Sequence, residues 1–362
     1  MKERDNYFDF ARAVLIFFVI FGHLSEGFWR IKPEKYIFLK QIWMVIYYFH
    51  IPAFAMISGY LSGRKGRSPN VEKLFISLIL PYIFFQVLYR FYFFKSNNMP
   101  DFSVHLFSEP YAHLWYLMSL FFWRMLLPFF LNIRFAFIMT LFLGIFSILM
   151  PDASLFLSVG RTIRFFPYFF LGALLFGKGI SAKDFRMNKY KIAAVIALIF
   201  FIIYYTNYKN EGDDMRVLQI FPDGDSDILS SLFQQTRIYA IGFILSGIFF
   251  IFTANLSDKF QYILSSGKYS IYPYVLHLFV VSAILNRGYA TRLDGIAGEE
   301  TVIIIFLILI SVLIEYILTS FLIRKISKFI LEPNYEKVRE YGTPVFTFCV
   351  LLILLVEQSG FI

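Results

Sequence analysis

The chain has 362 residues, of which 58% are hydrophobic, 21% are aromatic and only 16% are charged. This composition excludes an ordinary soluble globular protein, and recurring apolar runs of about 17 to 23 residues predict an all-α, polytopic membrane protein. The net charge of +9 does not indicate nucleic-acid binding, because membrane proteins collect Lys and Arg in cytoplasmic loops. The only cysteine is Cys349, which excludes an intramolecular disulfide and a cysteine metal site.

The apolar runs predict about ten core membrane spans and, as an open alternative, an eleventh near the C-terminus. The predicted spans are 8–27, 42–62, 74–94, 113–131, 134–150, 161–177, 190–208, 237–254, 269–287, 301–323 and 343–358. The last run is short for a span, so it either crosses the membrane or lies along its interface. Residues 1–330 are therefore predicted to form the membrane domain, and 331–362 a C-terminal extension with no appended soluble domain.

Lys and Arg are concentrated in one alternating set of loops, including 64–73 and 178–191, whereas the long loop 209–236 on the other side is acidic. The positive-inside rule places the basic loops and the N-terminus in the cytoplasm. One outer loop departs from this trend. Its cations are Arg30, Lys32, Lys35 and Lys40.

The first span carries two ionisable side chains inside its apolar run, Arg12 and His23. Their spacing is about three helical turns, so both lie on nearly the same face, roughly 16 Å apart along the axis. Ionisable groups at membrane depth are energetically costly and are candidates for function. Glu26 lies within side-chain reach of His23. The alternative is that Arg12 snorkels to the interface and His23 caps the helix end.

The second span contains His50 close to Pro52. The proline removes a backbone hydrogen bond and can kink the helix, which would either shape a polar pocket or serve packing, with His50 bonded to a neighbouring helix. Ser58 and Gly59 favour close packing between helices.

Two further spans open with polar groups at the predicted outer surface. The fourth begins with His113, at a depth close to that of His23, and with Tyr116, which also suits the interfacial aromatic belt. Arg161 and Arg164 share a face of the sixth span. They would bind an anionic or polar substrate group, or pair with Asp152 or lipid headgroups.

The ninth span places His277 near mid-depth, one turn after Tyr274, and Glu315 lies at membrane depth in the tenth. Both are as consistent with a structural as with a catalytic role. A metal site of His23, His50 and His113 has little support from spacing, and no metal is predicted. Neither a phosphate-binding glycine loop nor a Gly-x-Ser-x-Gly elbow is present.

The pair Arg12 and His23 forms an Arg-x10-His pattern that resembles the signature of membrane-bound acyltransferase family 3, whose members O-acylate sugars, polysaccharides and lipids of bacterial envelopes. Other segments resemble the branch of fucose 4-O-acetylase-like and polysaccharide O-acyltransferases. They are Arg4–Arg12, Phe49–Pro52, Ile57–Leu61, Leu114–Leu117, Arg161–Gly172 and Tyr269–His277. The resemblance covers about residues 4–325.

The resemblance implies ten core helices in a bacterial cytoplasmic membrane, an acyl-CoA donor on the cytoplasmic side and transfer to a glycan. By position it implies that His23 is catalytic, that Arg12 is the donor-side cation, and that Arg161 and Arg164 are supporting charges. Many relatives add an extracytoplasmic esterase-like domain. This chain shows none, so it is expected to complete the transfer itself or to pass the acyl group to another protein.

The expected activity is O-acyl transfer, with acetyl favoured over succinyl or another group, and His23 is the candidate general base oriented by Glu26. An acyl-His intermediate also fits. The candidate substrate-binding residues are Arg161, Arg164, His50, His113, Tyr116 and His277. No permanently bound cofactor is expected, because acetyl-CoA or another acyl-CoA is a donor substrate.

The expected partners are that donor, a glycan or lipid-linked sugar, the lipid bilayer and, as a further candidate, a glycan synthase complex, but no nucleic acid. The alternative function is a transporter or flippase for an envelope glycan or lipid, whose polar path would use the same side chains. The lack of a visible repeat argues mildly against it.

Overall fold

The computed structural model describes residues 6–63, 69–95, 108–149, 156–177, 182–188, 191, 228–256, 264–286, 295, 299–336 and 338. Every regular element in these residues is a helix. The α-helices are α1 Asn6–Trp29, α2 Ile37–Gly63, α3 Val71–Leu74, α4 Leu80–Lys95, α5 Trp115–Leu131, α6 Ala136–Phe146, α7 Val159–Gly177, α8 Ile228–Leu256, α9 Leu264–Lys268, α10 Ile271–Asn286, α11 Glu300–Leu318 and α12 Phe321–Leu331. A π-helical segment, Phe75–Ile79, joins α3 to α4. The prediction of an all-α protein is confirmed.

Within the part of the chain that the structure describes, six helices are long and apolar enough to cross a membrane. They are Asn6–Trp29, Ile37–Gly63, Val71–Phe93, Ala112–Leu131, Ile228–Leu256 and Glu300–Leu318. The prediction of a polytopic membrane protein is therefore confirmed. The cytoplasmic position of the N-terminus stays a prediction.

Three other predicted spans are helical but do not meet the same criteria of length and apolarity. The runs 134–150 and 269–287 correspond to the shorter apolar helices Ala136–Leu149 and Ile271–Leu285. The run 161–177 corresponds to α7, which contains two arginines. The predicted spans 190–208, apart from residue 191, and 343–358 lie outside the described residues.

The chain divides into two compact units. The first comprises Met1–Gly66, Arg134–Pro151 and Ile163–Ile323, and the second Arg67–Ile133, Asp152–Thr162 and Arg324–Ile362.

Helix α1 is the central helix of the first unit. It packs against α2, α8, α9, α10 and α11, and residues along its length, including Leu15, Ile20 and Leu24, are fully buried. A helix enclosed in this way holds its polar side chains against protein rather than against lipid tails. The cost of placing ionisable groups at membrane depth is reduced by such an arrangement.

Helices α2 and α7 cross at very short range in the first unit. A Cβ atom at Gly59 would overlap the carbonyl oxygen of Phe169, and a Cβ at Gly172 would overlap that of Met56. Each helix thus uses a glycine to admit the backbone of the other. The prediction that Gly59 allows close helix packing is confirmed.

In the second unit, buried polar side chains fix the start of α5. The side-chain amide of Gln86 donates to the carbonyl oxygen of Glu109 and accepts from the backbone N–H of Tyr111, both at 2.7 Å. Farther along, the indole N–H of Trp123 donates to the carbonyl oxygen of Thr162, also at 2.7 Å. The two bonds of Gln86 therefore fix the chain directly before the turn that carries His113.

Candidate active site

Three histidines from three helices of the first unit and one tyrosine form a continuous series of ring contacts. The rings of His23 on α1 and His277 on α10 stack with centroids 5.2 Å apart and an interplanar angle of 29°. The ring of Tyr47 on α2 lies 4.8 Å from that of His50 and 6.3 Å from that of His23. The sequence left open whether His50 and His277 lie near His23, and the structure brings all three together.

Backbone carbonyl groups orient two of these histidines. His50 Nδ1 donates to the carbonyl oxygen of Ile46 at 2.7 Å. His277 Nδ1 lies 2.9 Å from the carbonyl oxygen of Pro273 and 2.8 Å from that of Tyr274. Because a carbonyl oxygen only accepts, the proton of each neutral ring is on Nδ1, and Nε2 is the acceptor nitrogen.

Tyr47 links His23 to Glu26. Its hydroxyl group donates to Glu26 Oε2 at 3.3 Å, and the hydroxyl oxygen lies 3.5 Å from His23 Nδ1. The direct distance from His23 Nδ1 to Glu26 Oε2 is longer, at 4.0 Å. The sequence predicted that Glu26 orients His23, and in the structure the Tyr47 hydroxyl is the closer of the two groups to the imidazole.

Arg30 holds the other oxygen of the Glu26 carboxylate. Its Nη2 lies 2.7 Å and its Nε 2.9 Å from Glu26 Oε1. Such charge-assisted hydrogen bonds are shorter and stronger than neutral ones. Glu26 is therefore held between a cation on one side and the Tyr47 hydroxyl on the other, which fixes its position at the end of α1.

Sequence reasoning missed Tyr47 and Arg30 as parts of this site. Tyr47 lies three residues before His50 and Arg30 four residues after Glu26, so helical spacing places each on the face of a predicted site residue. Arg30 also belongs to the outer loop whose positive charge departs from the positive-inside trend. These two signals were present in the sequence.

Aromatic packing fixes Tyr47. The ring of Trp43 lies 4.4 Å from it, and the ring of Trp29 lies 5.1 Å from that of Trp43. On the α1 side, a Cβ at Gly22 would lie 3.0 Å from Tyr47 Cε2. The missing side chain at Gly22 therefore lets Tyr47 pack directly against α1 beside His23.

His23 is the accessible member of the three histidines. Its side chain is 28% exposed, whereas His50 and His277 are buried. Nδ1 of His23 faces Tyr47 and Glu26, so Nε2 lies on the opposite edge of the ring. Such an imidazole can accept a proton from a substrate at Nε2 while its other nitrogen is hydrogen-bonded to an orienting group.

Arg12 lies on α1 about three turns from His23, as the spacing predicted. Its Nη2 pairs with Asp9 Oδ1, and its Nε donates to the carbonyl oxygen of Phe8 at 3.4 Å. The side chain remains 21% exposed. The predicted contact of Arg12 with a donor stays a prediction.

The other predicted substrate-binding residues have separate surroundings. In the second unit, His113 is buried with its ring 5.4 Å from that of Tyr89, and the Arg161 guanidinium lies 5.5 Å from the centroid of the Trp115 ring. Tyr116 of that unit is buried against Trp123.

In the first unit, Arg164 is buried and its carbonyl oxygen accepts a hydrogen bond from the Tyr239 hydroxyl at 2.5 Å. The share of Arg164, and of His113, Tyr116 and Arg161, in substrate binding stays a prediction.

Among the described residues, no three His, Cys, Asp or Glu side chains are arranged to hold a metal ion. Glu315, which the sequence placed at membrane depth in the tenth span, is buried near the end of α11.

Comparison with known proteins points to one family. The model of acyltransferase family 3, described as "Acyltransferase domain", matches residues 5–320. The nodulation protein NolL of Mesorhizobium japonicum is 28% identical over 217 residues, which are 54% of this chain and 54% of the relative. NolL of Sinorhizobium fredii is 29% identical over 206 residues, 52% and 53% of the two chains. The aligned part spans about half the length of these curated relatives. No solved structure matches.

Proposed function

Because the chain belongs to membrane-bound acyltransferase family 3, we propose that it transfers an acyl group, with acetyl favoured, from cytoplasmic acyl-CoA to a hydroxyl group of an envelope glycan. The proposed location is the bacterial cytoplasmic membrane. The observation that carries the proposal is the accessible His23 whose Nδ1 faces the Tyr47 hydroxyl and the Glu26 carboxylate. This is the arrangement of a general base with its orienting groups, placed in a membrane protein of an acyltransferase family.

In the proposed reaction, His23 Nε2 takes the proton of a sugar hydroxyl group while the hydroxyl oxygen attacks the thioester carbonyl carbon. The new C–O bond forms and the C–S bond breaks. The departing thiolate then receives the proton from His23, so that the imidazole is again neutral and the products are the ester and free CoA. A positioned base of this kind contributes about 10²–10⁴-fold in rate.

Two neighbouring groups, the Tyr47 hydroxyl and the Glu26 carboxylate, interact favourably with the protonated imidazole that forms during this step. With the Tyr47 hydroxyl proton directed at Glu26, its oxygen accepts from His23 Nδ1–H, so Nε2 is the basic nitrogen. The negative charge of Glu26 lies 4.0 Å from the ring and stabilises its positive charge. Stacking against the buried His277 restricts rotation of the His23 ring.

The test uses purified protein in liposomes with labelled acetyl-CoA and an envelope glycan on the opposite side. We expect CoA release coupled to label on the glycan, and neither in liposomes without the protein. If folded protein releases no CoA and labels no glycan, but carries the unmodified glycan across the membrane, the acyltransferase proposal is wrong and transport is the function.

Replacing Tyr47 by Phe is expected to lower kcat about tenfold, with little change in KM for the donor. The loss of one hydrogen bond at a charged group is worth about 1.5 kcal/mol, which corresponds to about tenfold in rate. The measurement is steady-state kinetics of CoA release across a range of pH values.

The neighbouring Tyr48→Phe variant is the matched control, because Tyr48 is also buried on α2, whereas the hydroxyl group that faces His23 and Glu26 is that of Tyr47. We expect its kcat and its pH profile to stay as in the wild type. Equal loss in both variants would assign Tyr47 a general packing role.

A further inference from the structure

Helix α12 differs in composition from the apolar helix before it. α11 ends at Leu318, where the Thr319 backbone N–H donates to the carbonyl oxygen of Glu315. α12 begins at Phe321. α11 has no Lys or Arg, whereas α12 is basic. The cations of α12 are Arg324, Lys325 and Lys328. Positive charge therefore appears directly where a membrane-spanning helix ends.

The three cations of α12 lie on one side of the helix and three of its exposed apolar side chains lie on another, although exposed Phe321 falls within the cationic arc. At about 100° per residue, the three cations fall within an arc of about 100°. Leu322, Ile326 and Phe329 fall in the next arc, about 60° wide. This amphipathic pattern, in a segment with several cations, is typical of helices that lie in the membrane interface.

The apolar arc of α12 is exposed rather than packed. The exposed fractions are 64% for Leu322, 60% for Ile326 and 67% for Phe329. By contrast, Ile330 and Leu331 near its end are buried. The Phe329 ring is also within 6.0 Å of the Phe84 ring in the same unit. The C-terminal end of α12 is thus packed against the protein, whereas its apolar arc is exposed beside the exposed Lys325 and Lys328.

We propose that α12 is a docking surface for anionic phospholipids: the cations bind the headgroup phosphates, and Leu322, Ile326 and Phe329 contact the upper part of the acyl chains. Charge complementarity identifies the ligand as anionic, and basic segments next to a membrane span attract such lipids. A soluble phosphate would account for the cations alone. It would not account for large apolar side chains exposed beside them, so the lipid is the occupant that fits both arcs.

The experiment measures the unfolding midpoint of the purified full-length protein in a neutral detergent. Phosphatidylglycerol, phosphatidylcholine with the same acyl chains, and glycerol phosphate are titrated separately. A ligand that binds the folded state raises the midpoint. We expect phosphatidylglycerol to raise it by several degrees, phosphatidylcholine to raise it less, and glycerol phosphate to leave it unchanged.

The test variant is Lys325→Gln combined with Lys328→Gln, and the matched control is Lys73→Gln combined with Lys191→Gln, which removes the same charge from other exposed positions. The first variant should lose most of the shift caused by phosphatidylglycerol, and the control should retain it. An equal shift in both variants, no preference of the wild type for phosphatidylglycerol, or an equal shift with glycerol phosphate would each overturn the proposal. None of these readouts depends on acyltransferase activity.

Discussion

His23→Ala is expected to abolish acyl transfer while acyl-CoA binding is retained. His50 and His277 are buried, so in the proposed reaction neither can replace His23 as the acceptor of the hydroxyl proton. Loss of a general base lowers the rate by about 10²–10⁴-fold. The measurement is label transfer from acetyl-CoA in liposomes, with donor binding followed separately by calorimetry.

Chemical rescue distinguishes a base from a structural residue. The alanine variant leaves space at a partly exposed position, so added imidazole should restore part of the turnover if His23 acts as a base.

Arg12→Ala should have the opposite effect from His23→Ala, with weaker donor binding and a raised KM for the donor. Loss of donor binding in His23→Ala, together with retained turnover, would reverse the two assignments.

The sequence predicted which helices and residues belong to the site better than it predicted which of these residues contact one another. α1 was predicted as a span because its apolar run is long, and the spacing of Arg12, His23 and Glu26 follows from regular helical geometry. The contact of His23 with His277 depends on how α10 packs against α1, which no local pattern in either helix specifies. Tyr47 was missed for a related reason: its spacing places it on the face of His50, but only packing shows that its hydroxyl group lies beside a carboxylate.

The same limit applies to the spans. Six of the predicted spans correspond to helices that, among the described residues, are long and apolar enough to cross a membrane. Hydropathy also predicted 161–177, where the run is broken by Arg161 and Arg164. In the structure α7 is nevertheless a continuous helix with Pro167 inside it, and its Gly172 packs tightly against α2. Hydropathy does not measure packing of this kind.

The α2–α7 crossing leads to the second large effect, which is on stability: Gly59→Ala should lower the unfolding midpoint markedly. The new Cβ would overlap the Phe169 carbonyl oxygen, and neither atom can turn away by changing a rotamer. Overpacking of this kind costs about 1–3 kcal/mol, and more where the backbone must move. The measurement is thermal unfolding of the purified protein in detergent.

Gly247→Ala is the matched control, because a Cβ at that position of α8 meets nothing within 4 Å. An alanine in an open helical position stabilises by roughly 0.5–1 kcal/mol relative to glycine, so the two identical substitutions should have effects of opposite sign. Equal effects would show that α2 and α7 do not approach as closely as Gly59 and Gly172 indicate. Because α2 also carries Tyr47 and His50, a shift of this helix in Gly59→Ala should reduce turnover as well, whereas Gly247→Ala should leave it unchanged.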